Sequence, residues 1–123
     1  MGNLNDPTLV EWAIVRVSYP ERPDISSCSL TGVSVGHPRL NDGFQIVTTE
    51  IQEIDVAKGW ARTKSRTYNL SLPLAVDGFT PELIAEVQDI LKEGLGFTPK
   101  VERISAEEWR SSIALLGGED AAS

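Results

Sequence analysis

Between Leu9 and Tyr19 most side chains are apolar or β-branched, with Val10, Trp12 and Ile14 on one parity and Val15, Val17 and Tyr19 on the other. Successive residues of a strand face opposite sides of its sheet. Apolar positions on both parities therefore predict a central position in a sheet. Pro20 and Pro23 end it, and Glu21–Ser29 is a polar stretch that reads as a connection. Leu30–Val35 has the composition of a short second strand, stopped at Gly36-His37-Pro38. Asn41-Asp42-Gly43 is then a strong turn signal, because these residues accept the positive φ angles of tight turns.

Phe44–Asp55 reads as a long strand with Phe44 and Ile46 on one face and Val47, Thr49 and Ile51 on the other. Ile54 returns to the first parity, so a twist or bulge must redirect the strand partway. Lys58-Gly59 makes the next turn, and Trp60–Thr63 and Thr67–Leu72 follow as two strands joined around Lys64-Ser65-Arg66. Together with Phe44–Asp55 they form a three-stranded meander.

After Asp77-Gly78 the period changes from two to about 3.6. Thr80 is placed to cap a helix, Pro81 suits its first position, and Glu82 complements the dipole. Leu83, Ile84, Val87, Ile90 and Leu91 form its apolar stripe, and Gly94 is the expected stop. Lys100–Ile104 reads as an edge strand with Val101 turned inward. Ser105 and Glu108 make a capping box for a second helix, with Trp109, Ile113 and Leu116 as its buried stripe before Gly117-Gly118. The tetrapeptide Gly78-Phe79-Thr80-Pro81 recurs as Gly96-Phe97-Thr98-Pro99, but the residues after each copy differ. Two similar loop exits explain it better than a duplication.

These elements predict an α+β fold: a curled antiparallel sheet or small open barrel of about five strands, followed by two C-terminal helices. The 123 residues suit one domain, mainly β over 9–74 and mainly α over 79–117, with a frayed tail at 118–123. Trp12, Trp60 and Trp109 supply core area without crosslinks, and the single Cys28 forms no internal disulfide. The polar start of the chain and the lack of a long apolar run predict neither a secretory signal nor a membrane span. A reducing cytoplasm is the expected compartment.

The net charge of −7 is unevenly spread. Residues 1–76 carry eight acids against seven bases, and residues 77–123 ten acids against four bases. Acidity thus belongs to the C-terminal part, where it opposes contact with nucleic acid or anionic membrane and favours basic protein surfaces.

Cys28 with His37 is the one plausible nucleophile and base, yet neither sits in a local catalytic signature, so no catalytic residue is expected. One His and one Cys make no zinc site, the carboxylates lack calcium-loop spacing, and no phosphate-cradling glycine loop or dinucleotide fingerprint is present. Neither metal nor cofactor is expected.

Two surfaces merit a functional reading. Trp60, Arg62, Lys64, Arg66 and Tyr68 share a parity, and on an unbroken strand they would set cations between aromatic rings, as single-strand nucleic-acid platforms do. Glu82, Glu86, Asp89 and Glu93 follow helical spacing and predict an acidic ridge opposite the apolar stripe. The ridge and the acidic C-terminal part favour a non-catalytic module that docks on a basic partner protein, in the manner of an inhibitor, an immunity-type protein or a phage or mobile-element counter-defence protein such as an anti-CRISPR. Nucleic-acid binding through the Trp60–Tyr68 face is the alternative.

Overall fold

The computed structural model describes residues 6–112, with the side chains of residues 23–25 excepted. In chain order it comprises β1 (Thr8–Tyr19), β2 (Arg22–Val35), β3 (Phe44–Asp55), β4 (Trp60–Thr63), β5 (Thr67–Leu70), α1 (Pro81–Leu95) and β6 (Lys100–Ile104). A further helical segment, α2, starts at residue 106 and continues through 112. Ile113, Leu116, Gly117-Gly118 and the predicted frayed tail lie outside the described residues.

The strands run β2-β3-β4-β5-β1-β6 across the sheet, and β1 also pairs with β2, so β1 to β5 close into a ring. Neighbours are antiparallel except β1 and β5, which pair in parallel through Thr8↔Asn69 and Leu9↔Leu70. That exception is forced, because an odd number of up-and-down strands closes only by bringing two parallel strands together.

β1 makes the closure possible by changing partners along one edge. Its first residues meet β5, while Ile14–Ser18 meet β6, and β2 lines its other edge throughout. The switch lies at a bulge between Val10 and Ala13, where Glu11 adopts φ 52°. Gly32 stands opposite, and a Cβ there would fall 3.2 Å from both the Trp12 Cα and the Val10 carbonyl oxygen. The extra residue reverses parity, so Leu9 before it and Trp12 and Ile14 after it all join the ring's interior cluster. In β3, register shifts between Val47 and Glu50 and between Ile51 and Glu53 do the same for Ile46, Ile51 and Ile54.

Every strand of the ring contributes to the interior cluster, among them Leu30, Ala61 and Tyr68, and Trp109 of α2 packs into it. A second cluster forms on the outer face, where Val15 and Val17 of β1 and Val101 of β6 meet Val87 of α1. The central position of the first strand read from the sequence is present, and both its faces are covered. Present too are the edge position of β6 and the burial of Trp12 and Trp109; Val101, read as the inward residue of β6, is buried on the outer face beneath α1, and Ile104 is the β6 residue that joins the interior cluster.

Three boundaries differ from the sequence reading. Glu21–Ser29 is not a connection from end to end: β2 begins at Arg22, and Ser26–Ser29 pair with Val15–Ser18. Pairing decides here, since the long β1 offers backbone groups that the polar stretch satisfies whatever its side chains. The predicted strand Thr67–Leu72 stops at Leu70, after which Trp12 N–H donates to the Leu72 carbonyl and Leu74 N–H to that of Trp12. The helix passes Gly94 and ends at Gly96, whose φ of 80° lets its N–H reach the Lys92 carbonyl at 2.8 Å. Its start follows the sequence, with Thr80 Oγ1 accepting from Leu83 N–H at 3.2 Å.

Candidate functional site

α1 lies on the outer face of the ring with Val87 fully buried and Leu83 and Leu91 packed beside it. The 3.6-residue period then leaves Glu82, Glu86, Asp89 and Glu93 on the far side, all exposed. Glu82–Glu86 and Asp89–Glu93 are like charges four residues apart, each pair costing a few tenths of a kcal/mol. Glu93 also sits near the negative end of the helix dipole. Among the described residues none of the four carboxylates enters an ion pair. The ridge is a line of exposed negative charge on a helix seated on the ring through Val87.

An apolar groove borders this ridge, assembled from residues that no local pattern groups together. Ile90 lies one turn from both Glu86 and Glu93 and, with Leu40, Phe44 and Val47, lines a groove of about 410 Å³. Phe44 is 61% exposed and Leu40 43%. In a sequence an apolar residue beside a turn reads as core, and Phe44 belongs to the interior parity of β3. Only its position at the open end of the ring leaves it in water.

The basic and aromatic residues do not form the predicted platform. Trp60 and Tyr68 are buried, with exposures of 7% and 3%, and Tyr68 belongs to the interior cluster. The strand breaks at Lys64–Arg66, so β4 and β5 fold back on each other instead of extending one face. Thr63 ties the turn, its Oγ1 donating to the Arg66 carbonyl at 3.0 Å and accepting from Arg66 N–H at 3.3 Å. Outside, Arg62 donates to Gln52 at 2.9 Å and pairs with Glu53 at 3.2 Å, and Lys64 pairs with Glu50 at 3.2 Å. Arg62 and Lys64 are thus engaged by β3, apart from the rings.

Cys28 and His37 are not brought together. Cys28 lies opposite Arg16 in the β1–β2 ladder, and seven residues of strand, about 23 Å along the backbone, separate it from Val35 at the end of β2. Burial pushes its thiol above the usual range, outweighing the nearby Arg16 guanidinium. His37 lies beyond β2, its Nδ1 accepting from Arg39 N–H at 3.0 Å and its ring 6.4 Å from that of Tyr68. Burial, then the charges of Arg66 and Arg39, lower its pKa.

A second groove, of about 430 Å³, includes Arg16, Cys28, Glu50, Arg62 and Ser112. Its cations are already committed: Arg16 pairs with Glu102 at 3.2 Å and donates to Ser112 at 3.4 Å, and Arg62 is held by β3. Among the described residues, no group of three or more His, Cys, Asp or Glu side chains could hold a metal ion, and no helix is long and apolar enough to cross a membrane. No family model, curated protein or solved structure matches the chain.

Proposed function

We propose that this protein is a non-catalytic binding module whose α1 face docks on a basic surface of a partner protein. The observation that carries the reading is the line of four exposed carboxylates, unpaired among the described residues, on a helix anchored through Val87. Arranging like charges on one face costs stability, and a cationic partner offsets that cost on binding. The helix is already formed and seated through Val87, so association need not order it. The role fits a small inhibitor, an immunity-type protein or a phage or mobile-element counter-defence protein, acting in the cytoplasm.

Three features favour this face over the Trp60–Tyr68 alternative. Arg62 and Lys64 are engaged by Glu53 and Glu50, and the two aromatic rings that would stack on bases are buried. The net charge of −7 also opposes a polyanion. The test is affinity capture from the native host at low and moderate salt. The captured protein should be basic, should be lost when Glu82, Glu86 and Asp89 are changed to lysine, and should persist when Arg62, Lys64 and Arg66 are changed to glutamate. Capture that survives the first change would overturn the proposal.

A further inference from the structure

We infer that the groove between α1 and the β2–β3 connection receives a basic amphipathic segment of the partner protein, an apolar side chain seated against Phe44 and Ile90 and its lysines or arginines on the α1 carboxylates. This rests on the reading of α1 as the docking face and names what that face takes.

The groove is apolar at its base and charged along one edge. Ile46, Val47 and Ile90 line it, while Leu40 and Phe44 stand 43% and 61% exposed at its mouth. Glu86 and Glu93 flank Ile90 by one helical turn on either side, so a chain crossing Ile90 passes between two carboxylates. A neutral or acidic segment would leave them unpaired or repelled, whereas a segment with cations beside an apolar anchor satisfies both features. Arg39 lies on the opposite wall and disfavours cations there, so the segment must carry its positive charge on the α1 side.

The wall formed by the β2–β3 connection is organised in advance. Gly36 N–H donates to Asp42 Oδ1 at 2.8 Å, Gly43 N–H to the Ser34 carbonyl at 3.0 Å, and Arg39 N–H to His37 Nδ1 at 3.0 Å. A prearranged wall lets apolar contact there count toward affinity rather than toward ordering the loop. A second copy of this chain fits less well, because a two-fold interface centred on this face would bring its acidic ridges near each other. Polyanions are disfavoured by the same ridge.

The experiment uses the full chain and two synthetic helical peptides of about 15 residues, one with leucines on one face and lysines on the other, the second with every lysine replaced by glutamate. Amide chemical shifts should move at Leu40, Phe44 and Ile90 with the lysine peptide and not with the glutamate peptide. Phe44→Ser and Leu40→Ser should each weaken the lysine peptide at least tenfold, with the remaining amide spectrum unchanged to show that the fold is intact. Unchanged affinity in both variants overturns the groove. If charge reversal of Glu86 and Glu93 still weakens binding in that case, the ridge stands without the groove; if it does not, the docking face falls as well. A dimer in sedimentation that Phe44→Ser dissociates would make a second copy the occupant and overturn the inference.

Discussion

Gly32 and Trp12 approach so closely across the β1–β2 ladder that a Cβ on Gly32 would stand 3.2 Å from the Trp12 Cα. The approach follows from the bulge at Glu11, which crowds the extra residue of β1 against the partner strand. Gly32→Ala should destabilise the domain by about 1 to 3 kcal/mol, the usual cost of overpacking. Glu11→Gly should instead hold or raise stability by up to about 1 kcal/mol, since φ 52° is a left-handed conformation that glycine adopts without strain. Urea unfolding of the two variants checks both directions.

Trp109 couples the C-terminal segment to the ring. It is 6% exposed and packs into the interior cluster, and α2 is held at its start by a reciprocal cap. Ser105 N–H donates to Glu108 Oε1 and Glu108 N–H to Ser105 Oγ, each at 3.0 Å. Trp109→Ala should cost about 3 to 5 kcal/mol and Ser105→Ala about 1 kcal/mol. A loss from Trp109→Ala no larger than that from the cap, measured by chemical denaturation, would show that the ring holds its core without α2.

The titration of His37 has a defined sign. Its folded pKa lies below the ordinary value of 6.5, so the folded state binds the proton less readily than the unfolded chain. The resulting stabilisation is complete above pH 6.5 and is lost as pH falls through the folded value. Stability measured from neutral to acid pH should fall slightly more steeply in the parent than in His37→Ala. For Cys28 the shift is upward, and alkylation near neutral pH should be slower than for a free cysteine. Cys28→Ser should bind the partner as the parent does, and loss of binding at an unchanged melting temperature would give Cys28 a role at the interface.

What the sequence made legible was local. The Thr80 and Ser105 caps, the turns at Gly43 and Gly59, the long β3 and the acidic ridge all rest on residues within a few positions of each other. The parity break at Ile54 pointed to a bulge, and β3 has two. The missing parts depend on distant pairing. Ser26–Ser29 became strand because β1 needed a partner there, and nothing about a glutamate at position 11 announces a left-handed bulge. Parity groups Trp60 with Arg62 and Tyr68 without knowing where the ring closes, so the two aromatic rings it placed on a surface are buried, that of Tyr68 in the interior cluster. The same blindness hid Phe44, an interior-parity residue left in water at the end of the ring.

The decisive functional measurement compares two charge reversals. Changing Glu82, Glu86 and Asp89 to lysine removes the negative field of α1 while leaving Val87 and its contacts in place, so stability should change by no more than about 0.5 kcal/mol. Complementary charge acts largely through encounter, so association with a basic partner should slow at least tenfold at low salt, with a smaller difference at high salt. Changing Arg62, Lys64 and Arg66 to glutamate should leave that association nearly intact. It should cost some stability, because Glu53 and Glu50 would then face like charges in place of their present partners at 3.2 Å. Against single-stranded DNA at two salt concentrations neither the parent nor the first variant should bind with a steep salt dependence. Strong, salt-sensitive DNA binding by the parent that the second variant abolishes would transfer the function to the β4–β5 hairpin and remove it from α1.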